Sequence, residues 1–230
     1  MELNRERALF NDRYDAGRQL AGKLTEYKGK SALVLAIPNG GVPVGLEVAR
    51  ALEADLDVVI VRKLPLPLNP EAGFGAMADD GSVILNEELV AKARLTPEQV
   101  SAQVDKVRGD IRQRSLLYRK DKPLALARDR TVIITDDGLA SGFTMKAAVE
   151  SVRHRRPREI IVAVPVASSA AMEQLKPVAE KVVTVAIGTK PRFAVAGFYR
   201  RWYDLKDKEV VKCLEEWRAE RFWAGSKPAN

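Results

Sequence analysis

One strand-loop-helix segment constrains the fold of this chain more than any other part of it. Thr131-Val-Ile-Ile-Thr135 is a β-branched run, which predicts a buried strand. Two carboxylates, Asp136 and Asp137, follow directly, and a loop rich in Gly, Ser and Thr leads into a predicted helix over residues 145–152. In an open α/β sheet, ligands bind where the carboxyl end of a strand enters a helix. The segment therefore predicts an α/β sheet with a ligand site at this strand end.

The loop after the two carboxylates has the composition of an anion-binding loop. Successive backbone N–H groups between Gly138 and Thr144, together with the positive helix terminus, suit a phosphate. Asp136 and Asp137 suit sugar hydroxyls or a divalent cation. The alternative is that Asp136 only caps the next helix, but capping needs one carboxylate and the chain supplies two. The segment thus predicts contacts to both ends of a phosphorylated sugar.

The rest of the chain predicts a doubly wound α/β fold. A strand, a helix over residues 42–54 and a second strand form a βαβ unit, which implies parallel strands with a right-handed crossover. We expect a mainly parallel five-stranded sheet with helices on both faces. The five apolar runs that predict its strands are residues 31–37, 56–61, 131–135, 159–164 and 182–187.

The length of 230 residues suits a single domain over residues 1–230. We expect its core at about residues 28–190 and a small hood built from residues 1–27 and 191–230. Helical spacing of apolar residues predicts one helix over residues 3–27 and another over residues 207–223.

The segment 64–82 breaks the alternating pattern. Pro65, Pro67 and Pro70 predict that it contains no regular element, and three glycines add freedom. A long insertion at the ligand-binding edge of a sheet is typical of a mobile lid or binding loop. After it, Thr96-Pro-Glu-Gln99 predicts the start of a helix through a capping box. The strongly basic residues 112–122 predict a solvated face of that helix.

Charge and rare residues exclude several function classes. The net charge of +7 invites a nucleic-acid interpretation, but the basic residues are mixed with acids and form one block only, at residues 153–158. We therefore expect an anionic small-molecule ligand and no nucleic acid. The single histidine, His154, excludes multi-histidine zinc sites, and the single cysteine, Cys213, excludes an intramolecular disulfide. With no apolar run near ~20 residues and no signal peptide, we expect a cytoplasmic protein without membrane contact.

The segment Asp136-Asp-Gly-Leu-Ala-Ser-Gly-Phe-Thr144 resembles the signature with which type I phosphoribosyltransferases bind phosphoribosyl diphosphate (PRPP). Ile37-Pro-Asn-Gly-Gly-Val-Pro-Val-Gly45 is similar to the pyrophosphate loop of that family, and Arg62-Lys63 matches a basic pair that follows the next strand. The proline-rich insertion lies where the family keeps its mobile catalytic loop. These similarities occur in the family's order over most of residues 31–165.

The resemblance implies roles for individual residues. The ribose hydroxyls and the reaction centre would be served by Asp136, Asp137, Arg62 and Lys63. The 5-phosphate would be held by Gly138, Leu139, Ala140, Ser141, Gly142, Phe143 and Thr144. Pyrophosphate would be bound by Asn39, Gly40, Gly41, Arg62 and Lys63. The resemblance also implies Mg²⁺, held by Asp136 and Asp137 directly or through water and PRPP.

Two of these assignments have alternatives that the sequence leaves open. Gly40 and Gly41 also suit a plain strand-to-helix turn. Arg62 and Lys63 also suit an exposed pair at a strand end.

Two residues depart from the family pattern. Asn39 stands where family members often carry Lys or Arg, so backbone amides would bind more of the pyrophosphate. Ala140 stands where 6-oxopurine enzymes carry an Asp that acts as general base, which speaks against a 6-oxopurine acceptor. Near the C-terminus, Trp202, Phe198 and Tyr199 are candidates for stacking on the acceptor base; their alternative role is packing of the hood.

The function that the resemblance implies is transfer of a 5-phosphoribosyl group from PRPP to a nitrogenous base, with release of pyrophosphate, by a homodimer. Two alternatives stay open. The chain is a non-catalytic PRPP-sensing regulator, or it uses the same phosphate-binding loop as a phosphate-ester hydrolase. The sequence does not identify the acceptor.

Overall fold

The computed structural model describes residues 8–67, 69–120, 122–189 and 193–225. Within these ranges the strands are β1 (Leu33–Ala36), β2 (Asp55–Val58), β3 (Val61–Leu66), β4 (Asn69–Ala78), β5 (Val83–Leu85), β6 (Thr131–Thr135), β7 (Glu159–Ser168) and β8 (Lys181–Gly188). The α-helices are α1 (Arg13–Ala21), α2 (Gly41–Leu52), α3 (Glu87–Lys92), α4 (Pro97–Arg119), α5 (Phe143–Arg153), α6 (Ser169–Leu175) and α7 (Asp207–Gly225).

The central element is a five-stranded parallel sheet in the order β2-β1-β6-β7-β8, which confirms the predicted fold class. Side chains alternate across β1: Val34 and Ala36 pack into the apolar core that contains α2, while Leu33 and Leu35 pack into the core that contains α5. Because successive side chains of a strand point to opposite faces, α2 and α5 cover opposite faces of the sheet. This is the doubly wound arrangement.

The proline-rich segment forms regular strands, so the prediction that it lacks a regular element is wrong. β3, β4 and β5 make a separate antiparallel sheet with β4 in the middle. Pro65 is accommodated because it lies on an edge strand, where the register between β3 and β4 shifts on both sides of it. The role of residues 64–82 as a mobile lid stays a prediction.

The helix predicted over residues 3–27 is shorter in the structure. Residues 1–7 lie outside the described ranges, and α1 begins after Asp12, whose Oδ1 accepts a hydrogen bond from the Asp15 N–H at 2.9 Å. It ends at Gly22, since glycine is a weak helix former. The predicted tail helix is observed as α7, and its Leu214 and Trp217 side chains pack into the core.

The long helix α4 begins as predicted, with Thr96 and Gln99 completing the capping box. Its basic end is not a uniformly solvated face, which corrects that prediction. Arg119 is buried and donates hydrogen bonds to the Val58 carbonyl at 2.7 Å and to Asp79 at 2.6 Å. Partners at the end of β2 and just after β4 draw this cation inside, because a buried charge needs an opposite charge or a carbonyl.

The N-terminal and C-terminal segments meet beside the carboxyl end of the sheet. Phe10 exchanges backbone hydrogen bonds with Phe198 and Arg200, both at 2.9 Å, and its ring packs on Tyr199 at 5.2 Å between centroids. None of the helices in the described part of the chain is both long and apolar enough to span a membrane.

Candidate functional site

The site lies where two loops leave neighbouring strands. β1 and β6 are adjacent and parallel, and their following helices go to opposite faces of the sheet. A crevice opens at the carboxyl ends of two such strands because the chain turns away from it on both sides. The loop from Ile37 to Gly41 follows β1 and residues 136–142 follow β6, and the two loops approach each other closely at Gly40 and Asp137.

Asp136 and Asp137 directly follow β6. The Asp137 N–H donates to Asp136 Oδ1 at 2.8 Å, and Arg13 Nε donates to Asp137 Oδ2 at 2.8 Å. Within the described residues, Asp136 Oδ2 and Asp137 Oδ1 have no hydrogen-bond donor. Each carboxylate therefore keeps one oxygen for a ligand hydroxyl or a cation.

The surroundings of the two carboxylates favour their neutral forms. Burial, followed by the charge of Asp137, raises the pKa of Asp136 well above the usual range of an aspartate. Burial also raises the pKa of Asp137, although the charge and hydrogen bond of Arg13 oppose that rise. A cation or a hydroxyl donor in the crevice would relieve this unfavourable charge.

The two glycines of the first loop let it approach the acidic pair. A Cβ on Gly40 would lie 1.9 Å from Asp137 Oδ2, and a Cβ on Gly41 would lie 2.8 Å from the Thr135 carbonyl oxygen. Real Cβ atoms do not come that close to other atoms. The glycines thus allow contact between the loops, which goes beyond the relief of turn strain that was their alternative explanation.

The loop over residues 138–144 is anchored on one side and open on the other. The Leu139 N–H donates to Val166, the Ser168 N–H donates to Leu139, and Ser168 Oγ donates to the Ala140 carbonyl at 2.7 Å. In contrast, the N–H groups from Ala140 to Thr144 have no acceptor in the described part of the chain. These five open N–H groups, which lead into the start of α5, are donors of the kind that a phosphate requires.

The side chain of Asn39 contacts α4 and the segment that leads into α7. Its Nδ2 donates to the Leu205 carbonyl at 2.7 Å and to Asp207 at 3.0 Å, while its Oδ1 accepts from Arg114 Nη1 at 2.8 Å. The side chain is therefore fixed by α4 and by the start of α7. Because its side chain is occupied, Asn39 itself offers an anion only its backbone. The guanidinium of Arg114 lies next to it.

The structure separates the two members of the basic pair. Consecutive residues of a strand point to opposite faces, so Arg62 and Lys63 do not aim at the same place. Arg62 is half-buried, and burial, followed by the charge of Arg114, lowers its pKa. Lys63 lies against β4, where a Cβ on Gly73 would come within 2.2 Å of its Cγ.

The three aromatic candidates all pack on other aromatic rings. Tyr199 is buried and its hydroxyl donates to the Asp137 carbonyl at 2.6 Å. Trp202 packs on Tyr199 at 5.1 Å between ring centroids and covers the Arg13 guanidinium at 3.9 Å. Phe198 packs on Phe193 at 5.6 Å. Stacking of these rings on an acceptor base stays a prediction.

Sequence reasoning missed four residues of this region: Arg13, Arg114, Tyr118 and Asp207. Each lies far along the chain from residues that it contacts; Arg13 and Asp137, for example, are 124 positions apart. No local motif marks them. The available signal was the high density of arginines, which does not tell one arginine from another.

Comparisons with known proteins identify the family of this chain. A family model described as "Phosphoribosyl transferase domain" matches residues 8–196. Rv0571c of Mycobacterium tuberculosis H37Rv, provisionally named a phosphoribosyl transferase, is 38% identical over 216 residues, which cover 94% of this chain and 48% of that protein. MT0597 of strain CDC 1551 matches equally. The chain spans about half the length of these curated relatives.

A solved structure extends the comparison to the fold. Protein TT1426 from Thermus thermophilus is 37% identical, with a TM-score of 0.75. The match covers 90% of this chain and 98% of that one.

Proposed function

The chain belongs to the phosphoribosyl transferase domain family, and from this we propose that it transfers a 5-phosphoribosyl group from PRPP to a nitrogenous base. The observation that carries the proposal is the junction of the two loops. Asp137 meets Gly40 directly, and the open N–H groups of residues 140–144 begin a few residues further on. A ribose between these loops would have acceptors for its hydroxyls and donors for its phosphate.

Each part of the site would bind one part of PRPP. Asp136 Oδ2 and Asp137 Oδ1 would accept hydrogen bonds from the 2- and 3-hydroxyls of the ribose. The N–H groups of residues 140–144, with the hydroxyls of Ser141 and Thr144, would hold the 5-phosphate. The loop with Gly40 and Gly41, and the guanidinium of Arg62, would bind the diphosphate.

Members of the family generally use Mg²⁺, and the donor set fits this ion. Mg²⁺ prefers carboxylate oxygens and keeps waters or phosphates as its other ligands. Asp136 and Asp137 each offer one oxygen without a donor in the described residues. Those oxygens would hold the ion, directly or through water and PRPP. When bound, it would neutralise charge on the diphosphate leaving group.

In the proposed reaction, the bond between C1 of the ribose and the diphosphate oxygen breaks, and an acceptor nitrogen forms the new bond to C1. The acceptor loses a proton, and diphosphate leaves with the electron pair. Catalysis would come from positioning and from charge stabilisation. The hairpin of β3 and β4 is the candidate for a lid that excludes water, since it follows β2 at the edge of the site.

The acceptor is proposed to be a base other than a 6-oxopurine. Ala140 offers no carboxylate, and its carbonyl is already bonded to Ser168. Trp202 and Phe198 are partly exposed and remain candidates to stack on a base, whereas Tyr199 is buried. A homodimer and a cytoplasmic location belong to the same proposal.

A PRPP-sensing regulator is the second candidate. It is favoured by one observation: the side chain of Asn39 is held by α4 and α7, and no lysine or arginine stands at this position of the loop. Such a protein would bind PRPP without turnover. A change in the mobility of nucleic acid in the presence of PRPP would support it.

The deciding experiment measures Mg²⁺-dependent release of pyrophosphate from PRPP across a panel of purines, pyrimidines and other acceptors. The double variant Asp136→Asn, Asp137→Asn is the control. Acceptor-dependent release by the wild type alone supports the transferase. Binding of PRPP without release supports the regulator, and phosphate release from nucleotides without PRPP supports a hydrolase. If wild type and control behave alike and neither binds PRPP, the proposed site is wrong.

A further inference from the structure

One carboxylate oxygen gathers three side chains next to the pyrophosphate loop. Asp207 Oδ1 accepts from Asn39 Nδ2 at 3.0 Å, from Arg114 Nη1 at 2.9 Å and from the Tyr118 hydroxyl at 2.7 Å. Arg114 Nη1 also lies 2.7 Å from the Tyr118 oxygen and 2.8 Å from Asn39 Oδ1. The network joins α4, α7 and the loop after β1, so the position of Arg114 is fixed relative to that loop.

Only one nitrogen of the Arg114 guanidinium takes part in this network. All the described hydrogen bonds of Arg114 come from Nη1, so Nε and Nη2 have no acceptor within the described residues. The Arg114 side chain is 23% exposed to solvent. A guanidinium carries five N–H donors in a planar fork. The free edge of this fork is a site for a further anion.

A second arginine, Arg62, lies close enough to Arg114 for the two charges to influence each other. Arg62 makes no hydrogen bond or ion pair with the described residues, and the charge of Arg114 acts on it together with burial to lower its pKa. The acids around Arg62 are Asp110 and Asp207; of these, only Asp207 contacts either arginine. Asp207 therefore neutralises Arg114 by contact, whereas Arg62 has no contacting carboxylate among the described residues and keeps its positive charge for a ligand.

We propose that Arg114 is a diphosphate-binding residue of this site, held in place by Asp207 and Tyr118, and that it supplies the free N–H donors which the side chain of Asn39 lacks. The inference rests on the proposed function, since it names the residue that binds the leaving group. Arg114 would present Nε and Nη2 to a diphosphate oxygen, while Nη1 keeps the loop residue Asn39 in place. Arg62 would approach the same diphosphate from β3.

The alternative is that Arg114 only braces α4 against α7. A brace and a ligand-binding residue differ in what they change: loss of a brace lowers stability, whereas loss of a ligand contact weakens diphosphate binding in a folded protein. Arg112 offers a matched control, because it lies on the same helix, is exposed and makes no described contact with the network.

The test measures the affinity of the full chain for inorganic diphosphate with Mg²⁺ by calorimetry, and its thermal unfolding. Arg114→Gln is expected to raise the Kd for diphosphate about tenfold or more, as for loss of a charged hydrogen bond. Arg114→Lys is expected to raise it by less, because it keeps the charge and loses the fork. Arg112→Gln is expected to bind like the wild type.

An unchanged Kd in a folded Arg114→Gln protein, with a wild type that binds diphosphate, would overturn this inference alone. If Arg114→Gln does not fold, Arg114→Lys decides, and a wild-type Kd in that variant overturns the inference. A wild type that binds neither PRPP nor diphosphate would overturn the proposed function and this inference together.

Discussion

Arg13 Nε donates to Asp137 Oδ2 at 2.8 Å and so ties the hood to the acidic pair. Both side chains are largely buried, with 7% and 16% of their surface exposed. Trp202 covers the guanidinium at 3.9 Å, and Arg13 Nη1 donates to the Tyr203 carbonyl at 2.9 Å. The pair therefore sets the orientation of the carboxylate that we expect to meet the ribose, and it links that orientation to the packing of the C-terminal segment.

Arg13→Gln is expected to lower the free energy of unfolding by about 3 kcal/mol, because it leaves the Asp137 carboxylate buried without its partner. The KM for PRPP should rise as well, since Asp137 loses its fixed orientation. Chemical denaturation and initial rates check the two effects.

The matched control for Arg13 is Arg18→Gln on the same helix, where the side chain is exposed and its ion pairs are long. A change within about 0.5 kcal/mol is expected there. The double variant Arg13→Gln, Asp137→Asn should regain part of the lost stability. Strict additivity of the two single changes would contradict the coupling inferred for the pair.

Asp136→Asn is expected to abolish transfer and to raise the stability of the metal-free protein by about 1 kcal/mol, as at other sites where function opposes stability. Burial and the charge of Asp137 raise the folded-state pKa of Asp136. Ionisation of Asp136 therefore destabilises the folded protein relative to the unfolded chain. That cost is absent below the unfolded-state pKa, near about 4, and grows as the pH rises towards the folded-state pKa.

The measurement is thermal unfolding of both proteins in EDTA from pH 4 to pH 8. The stability advantage of the Asn variant should increase with pH. An advantage that is constant across this range, or a less stable variant, would show that the Asp136 charge is not the cause. Loss of activity without loss of folding would be the mark of a binding residue.

The sequence predicted the parts of the site that are local and missed the parts that are distant. Thr131–Thr135 and its loop were recognisable because a β-branched run, two acids and a glycine-rich turn occur in direct succession. Pro65 misled the prediction, since an edge strand with shifted register tolerates a proline that a central strand does not. Register and strand order are tertiary properties that a short window does not contain.

The surroundings of individual charged residues were also not predictable from the sequence. Arg119 and Arg114 lie in one basic run, yet Arg119 is buried against Asp79 and Arg114 is part exposed and pairs with Asp207. The roles of these two arginines depend on Asp79 and Asp207, which lie far from them in the sequence. Composition gave the charge of the helix but not the surroundings of each cation.

Gly40→Ala is expected to destabilise the protein and to abolish PRPP binding. The new Cβ would lie 1.9 Å from Asp137 Oδ2, so either the loop or the carboxylate must move, and both belong to the proposed site. Calorimetric titration with PRPP and Mg²⁺, together with thermal unfolding, measures the two losses.

Gly109→Ala is the matched control for Gly40→Ala. Gly109 lies inside α4, and nothing would stand within 4 Å of its Cβ. This change should raise stability by about 0.5–1 kcal/mol, because alanine favours the helix. PRPP binding should not change. Equal behaviour of the two alanine variants would contradict the close contact between the pyrophosphate loop and Asp137.

Asp207→Asn is expected to destabilise the protein near neutral pH, and the difference from the wild type should shrink in acid. Burial opposes ionisation of Asp207, but the hydrogen bonds from Tyr118 and Asn39 and the charge of Arg114 lower its pKa overall. A group with a lowered folded-state pKa contributes stability above its unfolded-state pKa of about 3.9, and loses it as the pH falls through the folded-state value.

Thermal unfolding from pH 6 down to pH 2.5 measures this difference, with Glu209→Gln as the control. Glu209 is the next acid on α7, its pKa is also lowered, and its partners are Lys206 and Tyr203, outside the Arg114 network. Both variants should lose their stability difference in acid, but only Asp207→Asn should also weaken diphosphate binding at neutral pH, because Arg114 then lacks its anchor. Weakened binding in both variants would point to the fold of α7 instead of the Arg114 network.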